Sequence, residues 1–129
     1  MNIEIAEYSA SLTLPGLSLE AIRQIKQAAR ELLGDLVVNV DSHCLDFDYS
    51  GRDTGRKVVK FLSRAALIIG SAEGEVECRL TTDMDETHFE FYSVQQFRLY
   101  KQEAELVRMP PVEVRLDVAE TGVLLASAI

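Results

Sequence analysis

The chain has 129 residues and a mass of 14.4 kDa, the size of one domain. It carries 13 basic and 21 acidic side chains, a formal charge of −8, and its 47% of hydrophobic residues excludes a disordered chain, a collagen and a disulfide scaffold. The negative charge repels phosphate backbones, so it argues against nucleic-acid binding and favours a basic partner.

Local patterns exclude further classes of protein. The longest apolar run, residues 65–69, is far shorter than the roughly 18–20 residues of a membrane-spanning helix. The first residues carry acids where a secretory signal needs basic side chains, so we expect a cytoplasmic protein without membrane contact. Two cysteines outside any CxxC pattern and only two histidines predict reduced thiols, no metal and no cofactor.

The predicted elements begin with a strand and an amphipathic helix. Apolar and polar residues alternate at the start of residues 1–14, and Pro15-Gly16 ends this strand. Ser18 fits a helix N-cap, because its hydroxyl can accept a free backbone N–H. Apolar residues then recur at helical spacing up to Leu33, and Gly34 fits the C-terminal cap.

A hairpin and a second helix follow. Residues 36–40 are rich in β-branched side chains, and residues 45–49 alternate between apolar and acidic, so they predict two strands around a turn at 41–43. A capping-box pattern at residues 50–53 predicts that the second helix starts there and runs to about Ile69.

A second hairpin is predicted after Gly70 or Gly74 ends that helix. Residues 75–80 alternate as a strand does, and an acidic turn follows at residues 83–86. The strand after the turn carries two aromatic residues with polar alternates, Phe89 and Phe91 with His88 and Glu90.

The last third of the chain is the most ambiguous. A capping-box pattern and helical spacing favour a third helix over residues 94–108, stopped by Pro110-Pro111, although these residues could instead extend the sheet. Residues 112–118 alternate strictly and predict a strand. Residues 123–129 predict a last strand that is either buried or an exposed edge pairing with a second copy in a homodimer.

The order of these elements predicts the fold class. It is β-αββ-αββ-αββ, a single α+β domain over residues 1–129. Hairpins joined through helices predict a mainly antiparallel sheet with two or three helices packed on one face.

Glycines and basic residues gather where the second helix is predicted to start. A helix N-terminus attracts phosphate or carboxylate, and Arg can bind such an anion with two hydrogen bonds. The segment is not a P-loop, because Arg56 stands where that pattern needs glycine. Two interpretations stay open: a capped surface helix, or an anion site formed by Gly51, Arg52, Thr54, Gly55, Arg56 and Lys57.

Charge is segregated into two blocks. Residues 52–64 hold five basic side chains and one acid, whereas residues 73–90 hold seven acids and one Arg. The blocks could face each other within the fold, pair between the subunits of a dimer, or bind separate partners; a solvated helix face is the simplest interpretation of the basic block.

Other polar residues give weaker candidates, and we predict no catalytic residue. Asp41, His43, Asp46 and Asp48 could form a metal or acid–base site, but alternating acids are also typical of the wet face of a strand. His43 ends the predicted turn and Cys44 follows it. Because adjacent residues on a strand point to opposite faces, such neighbours rarely form a working nucleophile–base pair.

The sequence therefore favours a non-catalytic, acidic protein-binding module. In this hypothesis Asp83, Asp85 and Glu86 meet a basic protein partner. An inhibitor or immunity-type protein that covers a basic enzyme fits by analogy of size and charge alone. The alternative is a small enzyme or sensor that binds an anion at Gly51–Lys57, and a third hypothesis is a structural homodimer.

Overall fold

The computed structural model describes residues 3–105 and 108–115. This part of the chain forms two α-helices and six strands, with a short 3-10 turn at Thr54–Arg56. In chain order they are β1 (Ile3–Thr13), α1 (Leu19–Leu33), β2 (Asn39–Val40), β3 (Cys44–Gly51), α2 (Lys57–Ile69), β4 (Val76–Thr82), β5 (Thr87–Gln95) and β6 (Arg98–Glu105).

The strands form one antiparallel sheet in the order β2-β3-β1-β4-β5-β6. The first six elements follow the split β-α-β, or ferredoxin-like, arrangement, because β1 lies between β3 and β4 and α2 connects those two strands. β5 and β6 extend the sheet beyond β4. The α+β class and the antiparallel sheet are thus confirmed, while the predicted third round of helix and strands is not matched.

Side-chain alternation divides the sheet into a covered and an open face. Both helices pack on the face that carries Ala6, Tyr8 and Ala10 of β1, and they also contact each other. The largest fully buried side chains form the centre of this core: Phe61, Ile25, Leu45, Leu62, Val58, Val76 and Val94. The opposite face of the sheet has no helix on it in residues 3–105.

One end of the sheet collects several connections. Ala6 pairs with Gly51, Ile3 pairs with Thr82, and His88 pairs with Glu105. The start of β1, the connection from β3 to α2, the turn from β4 to β5 and the end of β6 therefore lie at this end, which we call the Gly51 end. The two segments predicted to bind ligands or partners are both located there.

The helix boundaries confirm the local signals in part. The Ser18 hydroxyl accepts a hydrogen bond from the Ala21 N–H at 3.1 Å, and Gly34 ends α1 with a φ of 62°. Gly70 ends α2 with a φ of 82°. The predicted start of the second helix at residues 50–53 is wrong, because β3 continues to Gly51 beside β1 and α2 begins only at Lys57.

The predicted helix over residues 94–108 is also wrong. β5 runs to Gln95, a two-residue turn follows, and β6 returns along β5 with Gln95 paired to Arg98. The turn residues Gln96 and Phe97 have φ values of 52° and 61°, the combination that a tight hairpin turn requires. The Phe97 N–H donates to the Gly70 carbonyl at 2.8 Å, so the turn is tied to the end of α2.

Two strand predictions differ from the structure as well. Only Asn39–Val40 of residues 36–40 forms a strand, while Leu36 and Val38 pack against the core without a sheet partner. Residues 112–115 form no strand, because no described neighbour pairs with them, and Val112 and Val114 are exposed. The rest of that predicted strand and the predicted strand at 123–129 lie outside the described residues.

Neither described helix is long and apolar enough to span a bilayer.

Candidate functional site

A cluster of polar side chains lies beneath the start of α2. The two hydrogens of Arg56 Nη2 are shared among three acceptors: Glu90 Oε1 at 2.5 Å, the Tyr92 hydroxyl at 3.1 Å and the Tyr8 hydroxyl at 3.3 Å. Tyr8 in turn donates to Asp53 Oδ2, and Tyr92 donates to Glu90 Oε1, both at 2.6 Å. We call these five residues the Arg56 cluster. It links β1, β5 and the connection before α2.

Asp53 serves as the cap of α2 from outside the helix. Its Oδ1 accepts the Val58 N–H at 3.0 Å, and its own N–H donates to the Tyr49 hydroxyl at 3.0 Å. The Asp53 side chain is only 1% exposed. A carboxylate of the chain itself therefore occupies the partially positive helix end that the sequence suggested for an external anion.

The backbone before α2 turns sharply to bring Arg56 inward. Asp53, Gly55 and Arg56 have φ values of 49°, 73° and 54°, all in the left-handed region. This conformation costs a non-glycine residue roughly 1–2 kcal/mol, so contacts elsewhere must hold it. The hydrogen bonds of Asp53 and Arg56 supply those contacts.

The pKa shifts of Glu90 and Tyr92 keep each of these two groups in one charge state near neutral pH. Burial opposes ionisation of Glu90, but hydrogen bonds from Tyr92 and Arg56 keep its pKa below the usual value of 4.5. Burial, followed by the hydrogen bond to Glu90, raises the pKa of Tyr92 above its usual value. A general acid or base works best with a pKa near the working pH. These groups therefore fit an ion pair with fixed charges better than a proton-transfer site.

The same cluster shows how the two charge blocks meet. Arg56 belongs to the basic block and Glu90 to the acidic block, so the blocks are joined within the fold at this pair. Lys101 of β6 adds a second cation 3.6 Å from Glu90 Oε2. The basic block also contacts α1, where Arg64 pairs with Glu31 at 2.7 Å.

The six predicted anion-binding residues do not converge on one point. Arg56 is directed into its cluster, and Gly51 ends β3 under the Tyr49 ring. Arg52, Thr54 and Lys57 instead line a cleft of about 440 Å³ between the end of α1 and the start of α2. The structure therefore brings three of the six residues together, in a cleft that Glu31 and Asp53 also line.

The predicted partner-binding residues lie in a hydrogen-bonded turn between β4 and β5. The Thr82 hydroxyl accepts the N–H groups of Met84 and Glu86 at 3.3 and 3.2 Å, and the Thr82 N–H donates to the Glu86 carbonyl at 2.9 Å. Asp85 takes a φ of 58°. Asp83, Met84, Asp85 and Glu86, which we call the acidic turn, are all exposed, and Met84 is 75% exposed.

The open face of the sheet carries shallow grooves. One of about 530 Å³ is lined by Glu7, Asp48, Glu77, Arg79 and Phe89, among others, and a second of about 670 Å³ extends past Asp46. Asp46 and Asp48, predicted as metal or acid–base residues, thus lie on this wet face. Among the described residues no three His, Cys, Asp or Glu side chains are placed to hold a metal ion.

Asp41 and Cys44 have structural roles. Asp41 Oδ1 accepts the N–H groups of His43 and Cys44, each at 2.8 Å, and so holds the turn before β3. Partial burial and a hydrogen bond to Asp41 raise the pKa of Cys44. The Cys44 thiol therefore lacks the lowered pKa of an activated nucleophile.

Four members of the Arg56 cluster are not predicted as site residues from the sequence: Tyr8, Glu90, Tyr92 and Asp53, of which Asp53 is predicted only as part of a capping box. From the sequence alone, Tyr8 and Tyr92 fit either the lining of a pocket or core aromatics with a solvated hydroxyl, whereas Glu90 is predicted to be the polar alternate of Phe89 and Phe91. The structure reverses this strand: Glu90 and Tyr92 face the helices, while both Phe side chains face the open side. The one signal was a tyrosine two residues after an acid, which also fits an ordinary strand.

Comparison of the chain with protein-family models, with curated proteins and with solved structures finds no match. The ferredoxin-like arrangement of the first six elements supports many unrelated functions, so it indicates none by itself.

Proposed function

We propose that this chain is a non-catalytic protein-binding module whose acidic turn docks on a basic surface of a protein partner. The acidic turn is the observation that carries this proposal. It surrounds Met84, which is 75% exposed, with the carboxylates of Asp83, Asp85 and Glu86. Met is enriched in protein interfaces, and charges around an apolar contact speed association and exclude wrong partners.

The geometry of the turn supports binding with little ordering cost. Four hydrogen bonds with Thr82 hold the backbone of the acidic turn. Binding by a preformed surface loses less conformational entropy than binding by a mobile loop. Asp83 and Asp85 make no ion pair with any described residue, so both carboxylates can pair with Lys or Arg of the partner.

The chemistry of the other polar groups supports a non-catalytic role. The ionisable groups of the Arg56 cluster pair with one another, except that the buried Arg56 Nε has no hydrogen-bond partner among the described residues, and the pKa of Glu90 is shifted away from neutral pH. An inhibitor-like protein that covers a basic enzyme is one form of this proposal. That form rests on size and charge alone.

The experiment compares charge reversals at opposite ends of the sheet. The partner is first isolated from host lysate at moderate salt, and its association kinetics are then measured with the triple variant Asp83→Lys, Asp85→Lys and Glu86→Lys. The control carries the same change in net charge at exposed positions near the opposite end: Glu20→Lys, Glu73→Lys and Glu75→Lys.

We expect the turn variant to associate about tenfold more slowly than the control and to lose most of its salt dependence, because steering charges act mainly on the association rate. Equal slowing in the two variants would show that the effect comes from the net charge of the protein and not from the acidic turn. An unchanged association rate in the turn variant would show that the acidic turn is not part of the interface.

A second candidate function is the binding of a small anion in the cleft between the helices. The specific observation is that Arg52 and Lys57 line this cleft and make no ion pair with any described residue. Calorimetric titration with phosphate, nucleotides and carboxylates tests it, with Arg52→Ala and Lys57→Ala as variants. A folded sample that gives no heat with these probes would refute the candidate.

A further inference from the structure

Within residues 3–105 and 108–115, no strand pairs with the outer edge of β6. β6 pairs with β5 through all eight of its residues, from Arg98 to Glu105, and no strand in the described part of the chain pairs with its other side. Such an edge presents unpaired N–H and C=O groups to another strand. The opposite edge strand, β2, has only two residues, so β6 is the better template for pairing.

We propose that two copies of this chain associate edge to edge, with β6 antiparallel to β6 of the second copy and Gln102 on the two-fold axis. The pairing joins the two six-stranded sheets into one continuous sheet. This inference is independent of the proposed acidic-turn interface. That turn joins β4 to β5 and has no part in the pairing of the two β6 edges.

The faces of the sheet limit the registers that are available. Lys101 and Glu103 pair with Tyr92 and Glu90, so they lie on the helix side, whereas Gln102 lies on the open side. A two-fold axis perpendicular to the sheet keeps both sets of helices on one side. Each residue must then face a residue of the same side in the second copy.

Charge selects one register from this set. With Gln102 on the axis, Lys101 faces Glu103 of the second copy, and symmetry repeats this pair. A shift that centres the pairing on Lys101 places Lys101 opposite Lys101. A shift that centres it on Glu103 pairs Lys101 with Glu105 but places Glu103 opposite Glu103, so only the register on Gln102 has opposite-charge pairs and no like-charge pair. Like charges directly opposite each other destabilise a sheet, and opposite charges stabilise it. Charged side chains on an edge strand usually hinder pairing with another strand, but in this register they favour it.

Two further contacts fit the same register, while Leu99 faces Glu105 of the second copy and gains no apolar partner. Lys101 Nζ already lies 3.0 Å from Glu103 Oε1 of its own chain, so the two copies would form a four-residue network instead of isolated pairs. On the open side, Tyr100 faces Ala104 of the second copy, which covers a ring that is 46% exposed in one copy. The Gln102 side chains meet across the axis, where an amide can both donate and accept.

The test places charges on the axis. Gln102→Glu and Gln102→Lys each put two like charges face to face in the dimer, while a single copy has no ion pair at Gln102 to lose. Molar mass is measured by light scattering over a concentration series. We expect the wild type to rise from 14.4 kDa towards twice that value. Each variant should raise the dissociation constant about tenfold or more.

An equimolar mixture of the two Gln102 variants provides the decisive measurement, because Glu then faces Lys and the dimer should reappear. Gln24→Glu and Gln24→Lys make the same charge changes on the exposed side of α1 and should leave the dimer intact. A wild type that stays monomeric at every concentration would overturn the proposal. So would a dimer that survives both Gln102 variants, and its loss on Val114→Asp would then place the interface at the C-terminal segment.

Discussion

Replacing Arg56 by Met tests whether the Arg56 cluster stabilises the fold. Met keeps most of the aliphatic length and removes the guanidinium that donates to Glu90, Tyr92 and Tyr8. The Glu90 carboxylate, with its side chain 7% exposed, would then lose its nearest cation. A buried charge without its partner is among the few defects that destabilise a protein strongly.

The structure sets the expected magnitude below that of a fully buried pair. Removing one partner of such a pair costs about 3–5 kcal/mol. The Arg56 side chain is 36% exposed, and Lys101 Nζ remains 3.6 Å from Glu90 Oε2, so water and a second cation offset part of the loss. We therefore expect a loss of about 2–3 kcal/mol in the free energy of unfolding. For a chain of this size that lowers the Tm by about 10 °C.

Urea unfolding followed by circular dichroism measures this loss, and Arg64→Met is the matched control. Arg64 lies on the same helix and pairs with Glu31 at 2.7 Å, but both side chains are about half exposed, at 47% and 51%. Exposed pairs contribute about 0–1 kcal/mol. Equal losses in the two variants would show that burial adds nothing at Arg56 and would refute the reasoning.

The pH dependence of stability provides a second readout of the same variant. The pKa of Glu90 is lowered in the folded chain, so its contribution is present above the usual value of 4.5 and is lost as the pH falls below it. Without Arg56 the pKa of Glu90 should rise, which makes the decrease in Tm on acidification shallower than in the wild type. If Tm falls equally with decreasing pH in the wild type and in the Arg56→Met variant, carboxylates other than Glu90 cause the acid sensitivity.

Three further predictions concern local geometry. Thr82→Val removes the hydroxyl that accepts two N–H groups of the acidic turn, and should cost about 1–2 kcal/mol in urea unfolding. Gly70→Ala should cost about 1–3 kcal/mol, because φ is 82° and the new Cβ would lie 3.0 Å from the Phe97 ring; an unchanged midpoint would show that neither the backbone angle nor the ring resists a side chain there. Cys44 should react with a thiol reagent before Cys78, which is buried with a pKa raised by burial to about 11, whereas simultaneous reaction would contradict that burial.

The elements that sequence reasoning predicted well are those specified by neighbouring residues. Ser18 and Gly34 mark the two ends of α1 through bonds and dihedral angles that involve only a few adjacent positions. The alternation of β4 likewise depends on its own residues, since the core side chains Val76, Cys78 and Leu80 all face one side. These patterns can be recognised in the sequence without knowing the order of the strands in the sheet.

The error at residues 94–108 has a tertiary cause. Helical spacing and strand pairing were both compatible with this segment, and two contacts favoured the strand. Gln95 pairs with Arg98 across a turn in which two non-glycine residues adopt positive φ, and the Phe97 N–H bonds to Gly70. Tight hairpin turns with positive φ usually contain Gly or Asn, and neither residue marks positions 96 and 97. The turn could therefore not be predicted from the local sequence.

The Arg56 cluster was unpredictable for the opposite reason, since its members are far apart in the chain. Tyr8 and Arg56 are 48 positions apart, and Arg56 and Glu90 are 34 apart. Only the register of β5 decides whether Glu90 or Phe89 faces the helices. Hydrophobicity favoured Phe89, and the structure satisfies Glu90 with Arg56 and Tyr92 instead.

The inward position of Arg56 also bears on the choice between the two candidate functions. An anion site at the start of α2 would need cations that are free to bind, but Arg56 is neutralised by Glu90, and Asp53 already accepts the Val58 N–H at the helix end. Releasing Arg56 would leave Glu90 buried without its nearest cation, which carries the cost worked out above. Anion binding is thereby reduced to Arg52 and Lys57 in the cleft, whereas the acidic turn needs no such rearrangement to meet a basic partner.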